Sequence, residues 1–147
     1  MNHPHDAQAL AETVGREMYA RDHASQLLGL VLEEIRPGYA RVKMTVRRDM
    51  VNGHALCHGG FIFTLADSCF AYACNSHNLV TVAQGASIEF VAAGKLGDVL
   101  VAEGRERHTG GRTGVYDIAV TNQDDRTVAL FRGKSYRMQG HVVDAAR

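Results

Sequence analysis

The sequence predicts an α+β domain in which a curved antiparallel sheet wraps around one long central helix, and three observations support this. From Phe61 to Cys74 the chain is apolar almost without interruption, and a helix that is apolar on every side has to be wrapped by protein. Before it, Tyr39 to Val46 alternates, with Ala40, Val42, Met44 and Val46 on one face and Tyr39, Arg41, Lys43 and Thr45 on the other, the period of a strand with one wet face. After it come four strand-like runs, Val80 to Ala92, Val99 to His108, Gly114 to Asn122 and Thr127 to Met138. Short turn-rich segments separate them, as consecutive antiparallel strands require.

In chain order, Ala7 to Tyr19 carries Leu10, Val14 and Met18 at four-residue spacing behind Asp6, a candidate cap. Residues 1–28 are therefore expected to form an N-terminal helical segment, closing with a short helical turn at Ser25 to Leu28 before Gly29. Leu30 to Ile35 and Tyr39 to Val46 read as a hairpin around Arg36-Pro37-Gly38, and Arg47 to Cys57 as a polar loop. In the first run after the helix, Val80, Val82, Gln84, Ala86, Ile88 and Phe90 share a face, and in the third Tyr116, Ile118 and Val120 do. Residues 139–147 carry no pattern and read as a flexible tail.

Composition limits the function. A chain of 147 residues fits a single domain. Its 16 Lys+Arg balance 16 Asp+Glu, so there is no overall field to attract nucleic acid or an acidic membrane. The uncharged stretches are far shorter than a membrane span, and the start shows no basic segment followed by an apolar one. Cys57, Cys69 and Cys74 are odd in number and lie in or beside the buried helix, which points to reduced thiols and a cytoplasmic location.

Asp67 is the one charge in the central helix, flanked by Thr64, Ser68 and Ala71 in a narrow stripe. A carboxylate in such a place is paired, neutralised or functional, so it is either a structural group bonded to Thr64 or Ser68, or a general base or nucleophile. Gly59 and Gly60, at the helix start, either permit close packing or leave backbone N–H groups open to a carbonyl oxygen that becomes an oxyanion. His58 is a backbone-satisfied histidine or a substrate-orienting one, and Asn52-Gly53 is a turn signal whose Asn could also bind substrate. Gly59 and Asp67 are eight residues apart, about 12 Å along a helix, whereas reacting groups must lie about 3 Å apart. One helix cannot supply both, so the economical arrangement is a homodimer of antiparallel helices with two composite sites. A metal site is not expected, because His54, Cys57, His58, Cys69, Cys74 and His77 form neither paired knuckles nor a His-Glu-x-x-His run. A Cys57 nucleophile would have only His54 or His58 nearby to activate it.

The block Asn52-Gly53-His54-Ala55-Leu56-Cys57-His58-Gly59-Gly60, followed by Leu65-Ala66-Asp67-Ser68, resembles the hotdog-fold thioesterases, in particular the phenylacetate-degradation type. The likeness continues through Phe70 to Ser76, Thr113 to Ile118 and Thr127 to Ser135. It implies a hotdog homodimer, usually doubled to a tetramer, that hydrolyses phenylacetyl-CoA or its ring-hydroxylated forms to the free acid and CoA without a cofactor. Carried over by position, Asp67 would activate water or attack the thioester, and Gly59 of the partner subunit would polarise the carbonyl. Asn52 and His58 would position the thioester, and Ser68, where many relatives have Thr, would hold the lytic water. Gly60, Phe61, Leu65 and Tyr72 would line the acyl site. The CoA phosphates would be met by Arg112, Arg132 or Lys134, with Arg105 and Arg107 as weaker candidates. A hydratase or dehydratase on the same fold would need a His–Asp pair that the helix lacks, and a non-catalytic acyl-CoA sensor would have no use for both Asp67 and Gly59.

Overall fold

Gly59–Asn75 forms a helix of 17 residues, α3, around which the other elements are arranged. The computed structural model describes residues 4–144. Helices α1 (Pro4–Arg21) and α2 (His23–Leu27) come first, then strands β1 (Val31–Arg36) and β2 (Tyr39–Thr45). After α3 follow β3 (Leu79–Phe90), β4 (Val99–Gly110), β5 (Thr113–Thr121) and β6 (Thr127–His141). All neighbours are antiparallel in one six-stranded sheet of order β1-β2-β4-β5-β6-β3. The expected α+β architecture is thus present, with one difference in connectivity. β3 does not neighbour β4, its successor; it pairs with β6 and forms a free sheet edge, while β4 inserts beside β2.

The strand alternation holds where α3 packs on the sheet. Ala40, Val42, Met44 and Val46 are at most 1% exposed, as are Ile118 and Val120. Tyr39, expected on the wet face, is 6% exposed because the guanidinium groups of Arg36 and Arg105 lie over its ring and Glu103 accepts its hydroxyl hydrogen bond. β3 breaks its alternation. Its register shifts between Ala83 and Gly85, and Val82 and Phe90 are about half exposed because nothing among the described residues covers the edge.

At two points the sheet comes very close to the helix, tightly at Gly104 and closer than a side chain allows at Gly133. A Cβ on Gly104 would lie 3.1 Å from Cys69 Sγ, and one on Gly133 would lie 2.7–2.8 Å from ring carbons of the buried Phe70. These glycines set the depth at which α3 sits in the sheet.

Asp6 lies inside α1, within its first turn, rather than at its cap. The tail expected to be loose from Gln139 is instead held. β6 runs through His141, and Val143 exchanges two hydrogen bonds with the side chain of buried Asn78, N–H to Oδ1 at 2.8 Å and Nδ2 to the Val143 carbonyl at 3.0 Å. Residues 145–147 of that expected tail lie outside the described residues.

Gly133→Ala is expected to cost about 1–3 kcal/mol of stability through overpacking and to lower Tm in a thermal melt. Adding Phe70→Leu should recover part of the loss, which would make the two changes non-additive.

Candidate active site

The open face of α3 carries the candidate catalytic residues. Ile62, Leu65, Ala66, Cys69, Phe70 and Ala73 are buried against the sheet, whereas Thr64, Asp67, Ser68 and Ala71 remain half-buried along one stripe. Thr64 Oγ1 donates to the Gly60 carbonyl at 2.9 Å rather than to Asp67. Among the described residues no hydrogen bond reaches the Asp67 carboxylate, and burial pushes its pKa above the ordinary aspartate value. The structural-carboxylate reading therefore lacks its partners. Asp67 faces a cleft of about 640 Å³ walled by Phe70, Ala71, Val80 and Val82, with Met18 and Arg21 of α1 also lining it.

At the helix N-terminus His58 is the cap, with extended backbone (φ −61°, ψ 131°), and its Nδ1 accepts the Gly60 N–H at 2.9 Å. Nδ1 is thereby the unprotonated nitrogen, so the neutral ring carries its proton on Nε2. Gly60 is consequently not an open donor, contrary to its expected role in binding substrate. A Cβ there would lie 3.0 Å from Nδ1, so the glycine makes room for the capping ring. The Phe61 N–H donates to the His58 carbonyl at 3.0 Å. This leaves Gly59, whose N–H meets no acceptor among the described residues and which has the Phe90 ring beside it. Within α3 its distance from Asp67 remains the roughly 12 Å set by helical rise.

Asn52 fills its turn role. Oδ1 accepts the N–H groups of His54 (2.9 Å) and Leu56 (3.2 Å), which supports a loop with Ala55 at φ 61°. Its amide nitrogen has no partner among the described residues. The loop is seated by His58 N–H on the Met50 carbonyl and Cys57 N–H on the Gly94 carbonyl.

Two expected acyl contacts are core instead. Leu65 is fully buried in its own chain, and Tyr72 is 1% exposed with its hydroxyl on Asp22 Oδ2 at 2.9 Å. Phe61 stays half-buried, edge-on to His58. The three expected phosphate ligands do not converge. Arg132 and Lys134 point away from the core on alternate residues of β6, and Arg132 forms two hydrogen bonds to Asp117 (2.7 and 2.9 Å), which also takes Arg107. These arginines hold the Asp117 carboxyl below its usual range. Arg105 is engaged by Glu103 and the Tyr39 ring. Arg112 stands apart, at the β4–β5 turn, in a smaller cleft of about 300 Å³ shared with Arg137.

The three cysteines are free and buried. Burial raises the thiol pKa values of Cys57 to about 11 and Cys74 to about 12, and that of Cys69 further still. A thiolate nucleophile at Cys57 is thus disfavoured. Among the described residues no three His, Cys, Asp or Glu side chains group as metal ligands, and no helix is long and apolar enough to cross a membrane.

A His-Gly-Gly helix start and an unpaired helix carboxylate, set in a sheet curled around that helix, define a hotdog thioesterase. The thioesterase superfamily profile matches residues 54–129, and the chain belongs to that family. It is 49% identical over 129 residues, 88% of this chain and 92% of the relative, to the acyl-coenzyme A thioesterase PaaI of Escherichia coli K12. The structure of the E. coli PaaI protein from the phenylacetic acid degradation operon superposes with a TM-score of 0.90 at 47% identity, covering 91% of this chain and 97% of that one. A hypothetical thioesterase from Streptococcus pneumoniae, solved with coenzyme A, matches at TM-score 0.73 and 32% identity over 76% of this chain and 88% of that one.

Asp67→Asn should stabilise the protein at neutral pH. Because the folded-state pKa is raised, ionising Asp67 costs stability as pH rises through that value. A melt series should show a higher Tm for the variant at pH 7, with the gain shrinking as pH falls toward the ordinary aspartate range.

Proposed function

We propose that this protein is an acyl-CoA thioesterase hydrolysing phenylacetyl-CoA or its ring-hydroxylated forms to the free acid and CoA, in a homodimer with two composite sites. The observation that carries the proposal is a pair of unmet groups. Asp67 has no hydrogen-bond donor and the Gly59 N–H no acceptor among the described residues, and α3 itself holds them apart.

The free edge of β3 supports bringing them together across two chains. Gly59 sits beside Phe90, and Asp67 shares its cleft with Val82. If two copies of β3 pair antiparallel near Ala86, the Phe90 end of one strand runs beside the Val82 end of the other. Gly59 of the partner subunit then approaches Asp67. The same pairing would satisfy the edge and cover the exposed Val82 and Phe90.

In the proposed reaction the thioester carbonyl oxygen accepts the N–H of Gly59 from the partner subunit, helped by the positive end of α3. Asp67, ionised, takes a proton from water as the water oxygen bonds to the carbonyl carbon, with Ser68 holding that water. The C–S bond then breaks and the CoA sulfur takes the proton back. In the covalent variant the carboxylate itself attacks, the C–S bond breaks and CoA leaves as the thiolate; water then cleaves the anhydride, freeing the acid, regenerating the Asp67 carboxylate and supplying the proton that the thiolate takes up. The raised pKa of Asp67 makes it a better base than a solvated aspartate. The His58 Nε2–H and the Asn52 amide are the remaining donors on the Gly59 side, suited to holding the thioester. Arg112, with Arg137 beside it, is the cation assigned to the CoA phosphates.

The buried free thiols favour a reducing cytoplasm. A dimer of dimers would use the outer sheet face, where Leu130 is half exposed.

Two substitutions test the proposal by thiol release from a panel of CoA esters. Asp67→Asn removes base and nucleophile while keeping shape. Gly59→Pro removes the donor at a position where proline suits the helix start and His58 already has the extended backbone that precedes a proline, with the Phe90 ring shifting by a few tenths of an ångström to admit its Cβ. Each should lower turnover by about a hundredfold or more with the fold intact. Wild-type protein that binds these esters without releasing thiol would make it a sensor instead.

A further inference from the structure

Part of the wall of the Asp67 cleft comes from outside the hotdog core. Met18 and Arg21, in the last turn of α1, and Val142, after β6, line the same cleft as Asp67, Val80 and Val82. Arg21 joins these parts. Its Nε donates to the Glu17 carbonyl at 3.2 Å, and its Nη2 reaches the Val142 carbonyl at 3.4 Å. A guanidinium has five N–H donors, so three remain after these two bonds. Asp22 lies beside it with its carboxylate committed, Oδ1 to the Ser25 N–H and Oδ2 to the hydroxyls of Ser25 and Tyr72. The segment is therefore pinned to α3 through Tyr72 and to the chain end through Val142.

We propose that Arg21 is a specificity-determining residue for the far end of the acyl group, and that the N-terminal helical segment is thereby part of the acyl site. This rests on the thioesterase reading above. The rest of the cleft wall is chiefly apolar, from Met18, Phe70, Ala71, Val80, Val82 and Val142. An aromatic or aliphatic body fits it, and Arg21 brings spare donors to the same wall. A purely hydrocarbon end would strip water from the guanidinium and return nothing. An anionic end would meet Asp22 and Asp67 in the same cleft. A neutral group carrying an oxygen acceptor, such as a ring hydroxyl, suits the wall best.

The test compares thioether analogues of the CoA esters, which cannot be hydrolysed, with and without a ring hydroxyl para to the side chain. Affinities are measured by calorimetry for wild type, Arg21→Met, Arg21→Lys and Arg16→Met, and kcat/KM for the matching esters is followed in parallel. Arg16, on the same helix but lining a different groove, serves as the control. Wild type and Arg16→Met should favour the hydroxylated analogue. Arg21→Met should lose about tenfold of that preference, the worth of a hydrogen bond to a charged group, while keeping or improving affinity for the plain one, and Arg21→Lys should restore part of it. An unchanged preference in folded Arg21→Met, or an equal loss in Arg16→Met, would overturn the proposal. Because binding is read without turnover, a wild type that releases no thiol would count against the reaction and leave the Arg21 result to stand on affinity.

Discussion

The rise of an α-helix is the constraint on which this structure depends. At about 1.5 Å per residue, a helix that carries an unpaired carboxylate at Asp67 and an open N–H at Gly59 cannot close a reaction on itself. Two further features stand beside it: the half-buried stripe along the open side of α3 and the free edge of β3. Each leaves something in a single chain that a second copy could satisfy.

The start and the middle of α3 are prepared differently. At its start, the capping ring of His58 takes up the Gly60 N–H, and the turn at Asn52 fixes where the helix begins, so one donor is singled out. Midway along, Asp67 is left without hydrogen bonds while its surroundings raise its pKa. Burial that destabilises the ionised carboxylate in the fold also makes it a stronger base, an exchange of stability for activity common in enzyme sites.

Local pattern made the core and the half-buried stripe of α3 readable from sequence. The apolar run of α3 and the alternation of β2 and β5 depend on neighbours a few residues away, and Asp67 stood out because charge is rare in such a run. Long-range placement was harder to read. That β3 pairs with β6 rather than β4 is decided by a crossover, to which strand periodicity is blind. Leu65 and Tyr72 looked like cleft residues because a wholly apolar helix does not show which side the sheet covers. Arg132 looked like a free cation because its partner, Asp117, is fifteen residues away on the adjoining strand. Arg21 carried no motif; only the folding of α1 against the end of the chain brings it to the Asp67 cleft.

The most direct test of the composite site is complementation between two inactive proteins. Asp67→Asn and Gly59→Pro subunits, mixed, dissociated and reassembled, would pair at random, so that half the dimers are mixed and each of those has one site with both an intact Asp67 and an intact Gly59. The account predicts recovery of about a quarter of wild-type thiol release, the share expected of a symmetric dimer with shared sites. A mixture no more active than its components would mean that Asp67 and Gly59 do not act on one substrate across the two chains.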